Sequence, residues 1–196
     1  MSSENYEVEE NLLPKIKEAV DIFLQVNDYN VREHYIFEDI NYAYELCETL
    51  NKLFEDSLPE GYKFDLPTEE QWEYACRAGT TTALNNGKNL TSESGICNNL
   101  DEIAWYKGNC NDGCYHSVWQ KKPNAWGIFD MLGNVWEWCR DFDDKVEGPN
   151  HDILAHYVVK GGSCSDEPSH CRSAYRRSAP AMREQGFCLA LVPKEK

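Results

Sequence analysis

The chain has 196 residues, enough for one ordinary domain with a single core and a small extension. Its 34 acidic against 19 basic residues give a formal net charge of −15, which repels a phosphate backbone, and no stretch gathers the Lys and Arg of a nucleic-acid footprint. A membrane is excluded as well: the N-terminal stretch is acidic where a secretory signal is basic, and nothing approaches ~18 uninterrupted apolar residues. The expected location is the cytoplasm, where the nine cysteines are expected as thiols rather than as a disulfide framework.

In chain order, residues 10–26 place Leu12, Ile16, Ala19, Val20 and Phe23 at helical spacing, with Pro14 in the first turn. This acidic segment reads as a helical extension, residues 1–35, ahead of a domain at 36–196. A second helix is expected over residues 37–54, with Ile40, Ala43, Cys47, Leu50 and Phe54 on one face, ended by the Pro and Gly loop at 57–61. A third begins at Thr68, which can cap the amide of Gln71 while Gln71 reaches back, and ends at Gly79 as a left-handed cap. Past Gly79 short apolar fragments alternate with Asn, Gly, Asp and Ser, so long helices are not expected, and strands are expected at 156–160 and 187–192. So much irregular backbone needs side-chain networks, water or ions to satisfy it.

Five words stand in order along the chain: LPTEEQWEYACRAGT at 66–80, KKPNAWGIFDMLGNVWEWCRD at 121–141, KGGS at 160–163, CRSAYRR at 171–177 and GF at 186–187. Together they resemble the formylglycine-generating enzyme family, also called the sulfatase-modifying-factor family, over residues 36–191. The resemblance implies an α+β, C-type-lectin-like fold, irregular, with short strands and two to three helices. The family's usual first strands have no counterpart, the acidic helix standing in their place.

Within GNVWEW, Gly133 permits a tight backbone approach, Trp136 and Trp138 carry apolar area, and Glu137 supplies a carboxylate. A carboxylate beside backbone carbonyls suits calcium. By resemblance the ion would be held by the side chains of Asp130 and Glu137 and the backbone oxygens of Gly133 and Val135. The alternative is that Glu137 caps buried amides or forms a salt bridge without a metal.

The family's active enzymes oxidise a cysteine of a substrate protein with two copper-binding cysteines of their own, five residues apart. Here Cys171 falls on the first position and Arg176 on the second. An arginine is a permanent cation without an acceptor, which argues against copper and leaves Cys171 either reactive or buried and inert. Other departures from the family are Cys164 after KGGS, where an aromatic is usual, Cys188 after GF, where an arginine is usual, and Trp119, where a glycine is common. Cys164 and Cys171 form a conceivable replacement thiol pair. Cys110, Cys114 and His116 have only loose zinc spacing, and Ser163, His170 and Asp166 sit in words unlike a nucleophile elbow.

These readings favour a non-catalytic module that binds a small ligand or a protein through the 164–185 loop, as in the family's retroelement-diversified variable proteins. The expected contact residues are Trp105, Tyr106, Trp119, Cys164, Asp166, His170, Tyr175 and Arg177, because clustered aromatic and arginine side chains carry binding energy. The alternatives are a copper-dependent oxidase acting on protein cysteine and a shortened paralogue without activity.

Overall fold

A computed structural model describes residues 15, 37–110, 115–142, 156–180 and 182–194, with backbone only at 37, 38 and 182–184. The expected helix at 10–26 lies outside the described residues apart from Lys15. Helix α1, Ile40–Leu53, starts where Asp39 turns extended and its carboxylate accepts from the Asn41 amide (2.9 Å). The sequence reading began this helix at residue 37, but Phe37–Asp39 is strand β1. Ile40, Ala43, Leu46, Cys47 and Leu50 form the helix's buried face. Its last turn is tied to strand β2, Tyr62–Asp65, by Asn51, whose amide donates to the Phe64 carbonyl (2.8 Å) and accepts the Phe64 amide (2.7 Å).

Helix α2, Glu69–Arg77, carries the full capping box: Gln71 N–H donates to Thr68 Oγ1 and Thr68 N–H to Gln71 Oε1. The left-handed conformation arrives one residue earlier than expected, at Ala78 (φ 44°), and continues through Gly79 (φ 90°). Between Gly79 and strand β3, Glu137–Phe142, the described chain holds only the four-residue helix α3, Asn98–Asp101.

Strands β4 (His156–Lys160), β5 (Arg176–Pro180) and β6 (Met182–Phe187) complete a five-stranded sheet in the order β1-β6-β3-β4-β5, in which β3 and β6 run parallel. The strand expected at 187–192 is divided: Phe187 ends β6, and β7, Ala190–Pro193, pairs with β2 in a separate ribbon. Alternation along the central strands splits the core. Trp138 and Val159 face a cluster with α1, whereas Cys139 and Val158 face one built on Trp72, Leu100, Tyr106 and Leu132.

The irregular stretch is held by asparagines, as its composition demands. Asn124 Nδ2 donates to the Ala75 and Cys76 carbonyls at the end of α2, while its Oδ1 accepts the amides of Trp126 and Ile128. Asn134 holds both backbone groups of His116. No helix among the described residues is long and apolar enough to cross a membrane.

Candidate functional site

After β4 the chain turns through Gly161 (φ 92°) and Gly162 (φ 78°), and a hub forms on Asp166. Trp136 Nε1–H donates to Asp166 Oδ2 (2.8 Å), and so does the Ser163 hydroxyl. His170 Nδ1 stands 3.4 Å from Oδ1 without the alignment of a hydrogen bond. Ser163, Asp166 and His170 do come together, but the carboxylate lies between the other two. The imidazole therefore does not take up the hydroxyl, as a nucleophile's base must.

Beside this hub lies a cavity of about 210 Å³ lined by Trp136, Val159, Ser163, Ser165, Asp166, Arg177, Ala179 and Gln185. Its polar chemistry is specific. Gln185 is 5% exposed, and its Oε1 has no hydrogen-bond partner among the described residues. Arg177 projects from β5 with its guanidinium 6.0 Å from the Trp136 ring and forms no salt bridge among the described residues. The cavity is thus lined by an indole, the aliphatic side chains of Val159 and Ala179, a buried amide, the Asp166 carboxylate and the Arg177 guanidinium.

Of the contact residues expected from sequence, Asp166 and Arg177 line the cavity, and Tyr175 and His170 adjoin it, with ring centroids 6.0 Å from Trp136 to Tyr175 and 4.8 Å from His170 to Tyr175. The others sit elsewhere. Tyr106 is fully buried, its hydroxyl donating to Asp101 and accepting the Cys97 amide, so it belongs to the core and not to a contact surface. Cys164, 1% exposed, is equally a core residue. Trp105 is stacked on His116, with ring centroids 3.8 Å apart, and the Lys121 ammonium lies 3.8 Å from the Trp105 ring centroid. Trp119 is exposed and lies beside Asp130 rather than the cavity. Its φ of 66° lies in the left-handed region that favours glycine.

Cys171 is sealed. It has no exposed surface, burial pushes its thiol well above the ordinary cysteine range, and a Cβ on Gly162 would come within 2.7 Å of its sulfur. Arg176 extends to Glu69, Nε to Oε2 3.2 Å, from a half-exposed position. Glu69 and Glu73 also meet the Lys160 ammonium at 3.5 and 3.1 Å, and that lysine is fully buried against Trp72. The KGGS lysine is thereby a structural cation joining β4 to α2. Gln185 and Lys160 were not singled out from sequence. Gln185 sits in a charged stretch without alternation, and the lysine belonged to a word read for its glycines.

Glu137 is buried, and its Oε2 accepts from the Trp72 indole at 2.6 Å. Desolvation, with Asp130 adding its negative charge, raises the Glu137 carboxyl from 4.5 to about 7, although Trp72 and the Cys188 thiol donate to it. Burial raises Asp130 as well, while its Oδ2 accepts the Trp119 amide (2.7 Å). Neither carboxyl has a cationic partner among the described residues. Two desolvated carboxyls in mutual repulsion fit a divalent cation in charge. Among the described residues no three His, Cys, Asp or Glu side chains gather as a metal site, so further oxygens would come from backbone, as expected for Gly133 and Val135.

The sequence profile of the Sulfatase-modifying factor enzyme 1-like domain matches residues 33–191. The chain belongs to this family. It is 34% identical over 118 residues to the chaperone protein LppX of Paenibacillus barcinonensis, covering 52% of this chain and 38% of that one. It is 32% identical over 126 residues to the formylglycine-generating enzyme of Streptomyces coelicolor, covering 58% and 40%. The chain therefore spans less than half the length of these relatives. Treponema denticola variable protein 1 superposes with a TM-score of 0.60 at 24% identity, over 77% of this chain and 68% of that one, which shows the shared fold. The fold is the α+β, C-type-lectin-like fold of the sulfatase-modifying factors.

Proposed function

We propose that this domain is a binding module that takes a small ligand, or a side chain of a partner protein, into the Trp136–Asp166–Arg177–Gln185 cavity. The observation that carries the reading is the buried Gln185 side chain, which lines the cavity and whose Oε1 has no hydrogen-bond partner among the described residues, while Arg177, at the same cavity, forms no salt bridge among them. A ligand that places an N–H or O–H on Gln185 and an anionic group on Arg177 satisfies both, with a flat or apolar body against Trp136.

The relatives' names cover an enzyme, a chaperone protein and a variable protein, so membership alone does not choose among functions. The local chemistry supports binding over oxidation. Copper-dependent oxidation by a thiol pair needs an accessible thiolate and a second sulfur, whereas Cys171 is sealed and position 176 carries a guanidinium held by Glu69. A retroelement-diversified version of this module would carry its variation in the C-terminal segment that holds Arg177 and Gln185. Calcium on Asp130 and Glu137 would serve the scaffold, by neutralising the carboxyls that pin GNVWEW.

A fragment screen read by the indole N–H signals of the full chain tests the reading. Ligands are expected to shift the Trp136 signal and to lose affinity at least tenfold in Gln185→Leu and Arg177→Ala, the loss of about 1.4 kcal/mol or more expected for one charge-assisted contact. Hits that leave Trp136 unmoved and bind both variants equally would overturn it.

A further inference from the structure

The sequence offered Cys164 to Cys171 as a thiol partner, but the fold gives it another. The Cys164 thiol has side-chain hydrogen bonds with Ser165, Sγ to Oγ 3.9 Å, and with Cys110, and the Cys110 sulfur lies 3.3 Å from His116 Nε2. All eight described cysteines are thiols, and among the described residues this group places two sulfurs and an imidazole in one chain of contacts.

The imidazole is held in place. Its ring stacks on Trp105 at 3.8 Å, and Asn134 accepts the His116 amide and donates to its carbonyl. Cys110 is fixed by its amide, which donates to the Tyr106 carbonyl at 2.9 Å. Cys164 is fixed by its amide on the Asn134 carbonyl, also at 2.9 Å. Asn134 therefore braces both His116 and Cys164. The three groups do not amount to a metal centre among the described residues, and a dithiol with a base on one member has a different chemistry: reversible two-electron oxidation.

We propose that Cys110 and Cys164 are a redox couple which a low-molecular-weight disulfide converts into an internal disulfide, with His116 receiving the first proton. Exposure sets the order of events. Cys110 retains 7% of its surface and touches the base, so it attacks; Cys164, at 1%, resolves. Burial also holds the Cys164 thiol above the ordinary cysteine range, which keeps it protonated until the second step. In the first step the Cys110 proton passes to His116, its sulfur bonds to one sulfur of the small disulfide, and one small thiolate leaves. In the second, Cys164 displaces the other small thiol, which departs with the Cys164 proton. Two protein thiols are oxidised and one disulfide is reduced to two thiols. The product ties the turn at 106–110 to the segment whose Ser163 and Ser165 line the cavity, so the couple sits where oxidation constrains the cavity wall.

The test treats the full native chain with oxidised glutathione, blocks remaining thiols after unfolding, and maps the cysteines by mass. The expected product has lost two hydrogens, contains a Cys110–Cys164 cross-linked peptide, and reverts with dithiothreitol, while Cys97 and Cys171 remain alkylatable. Cys164→Ser is expected to stop at a glutathione adduct on Cys110, and His116→Gln to move the pH profile of Cys110 alkylation upward. A cross-link between Cys164 and Cys171, or Cys110 and Cys164 both recovered as thiols, would overturn the proposal; because the mapping uses the unsubstituted chain, poor folding of either variant does not decide it.

Discussion

Replacing Glu137 by Gln tests the desolvated carboxyl at the centre of GNVWEW. In the metal-free chain this carboxyl is raised from 4.5 to about 7, by burial first and by Asp130 besides. Between those pH values the folded state keeps a proton that the unfolded state has released. The contribution to stability is thus fully present below about pH 4.5 and is lost as pH rises through about 7, amounting to about 3 kcal/mol. Burial of Asp130 adds loss in the same direction. Urea unfolding in a chelator at pH 5 and pH 8 measures most of it: the wild-type chain is expected to lose about 2.5 kcal/mol more across this interval than Glu137→Gln, whose amide retains an acceptor for Trp72 but does not titrate. Millimolar calcium is expected to raise the wild-type midpoint at pH 8 and to have little effect on the variant, since the cation binds the deprotonated pair. Parallel pH profiles for the two proteins would refute the assignment of a raised carboxyl to Glu137.

Three further substitutions probe the frame of the site. Lys160→Met leaves Glu69 and Glu73 without their shared ammonium; because those side chains keep 26% and 28% of their surface in water, the expected loss is about 2–4 kcal/mol, read by denaturant midpoint. Gly133→Ala places a Cβ 2.1 Å from the Trp105 carbonyl at a φ of 73°, and is expected to cost upwards of about 3 kcal/mol or to prevent folding, read by thermal unfolding and soluble yield. Trp119→Gly removes a bulky residue from the left-handed region and is expected to raise stability by roughly 0.5–1 kcal/mol, with a lowered midpoint as the contrary outcome.

How much of this was legible in the sequence depended on whether the governing interaction was local. The period of Ile40, Ala43, Cys47 and Leu50 and the reciprocal cap of Thr68 and Gln71 are written within a few residues, and both helices followed. Strand β1 was read into the first helix because Phe37 continues the apolar period; the Asp39 cap is what ends the strand. Strand β5, RRSAP, shows no alternation, since Lys160 and Arg176 face each other across the ladder and both reach the acidic face of α2. Tyr106 was placed among contact residues by its aromatic neighbours, whereas a hydroxyl pairing with Asp101 and Cys97 carries it into the core. Gln185 and the partnership of Cys164 with Cys110 depend on chain segments brought together from far apart, and no spacing rule announces either. Composition did announce the need for side-chain networks, which Asn124 and Asn134 meet.

The central claim, that the domain binds rather than oxidises, is tested most directly by incubating the full chain with copper and a sulfatase-type cysteine peptide and weighing the peptide. The sealed Cys171 and the Glu69-bound Arg176 predict an unchanged peptide, with no aldehyde product above the copper-only control. A peptide converted from thiol to aldehyde in proportion to enzyme, and lost in Cys171→Ser, would contradict the account.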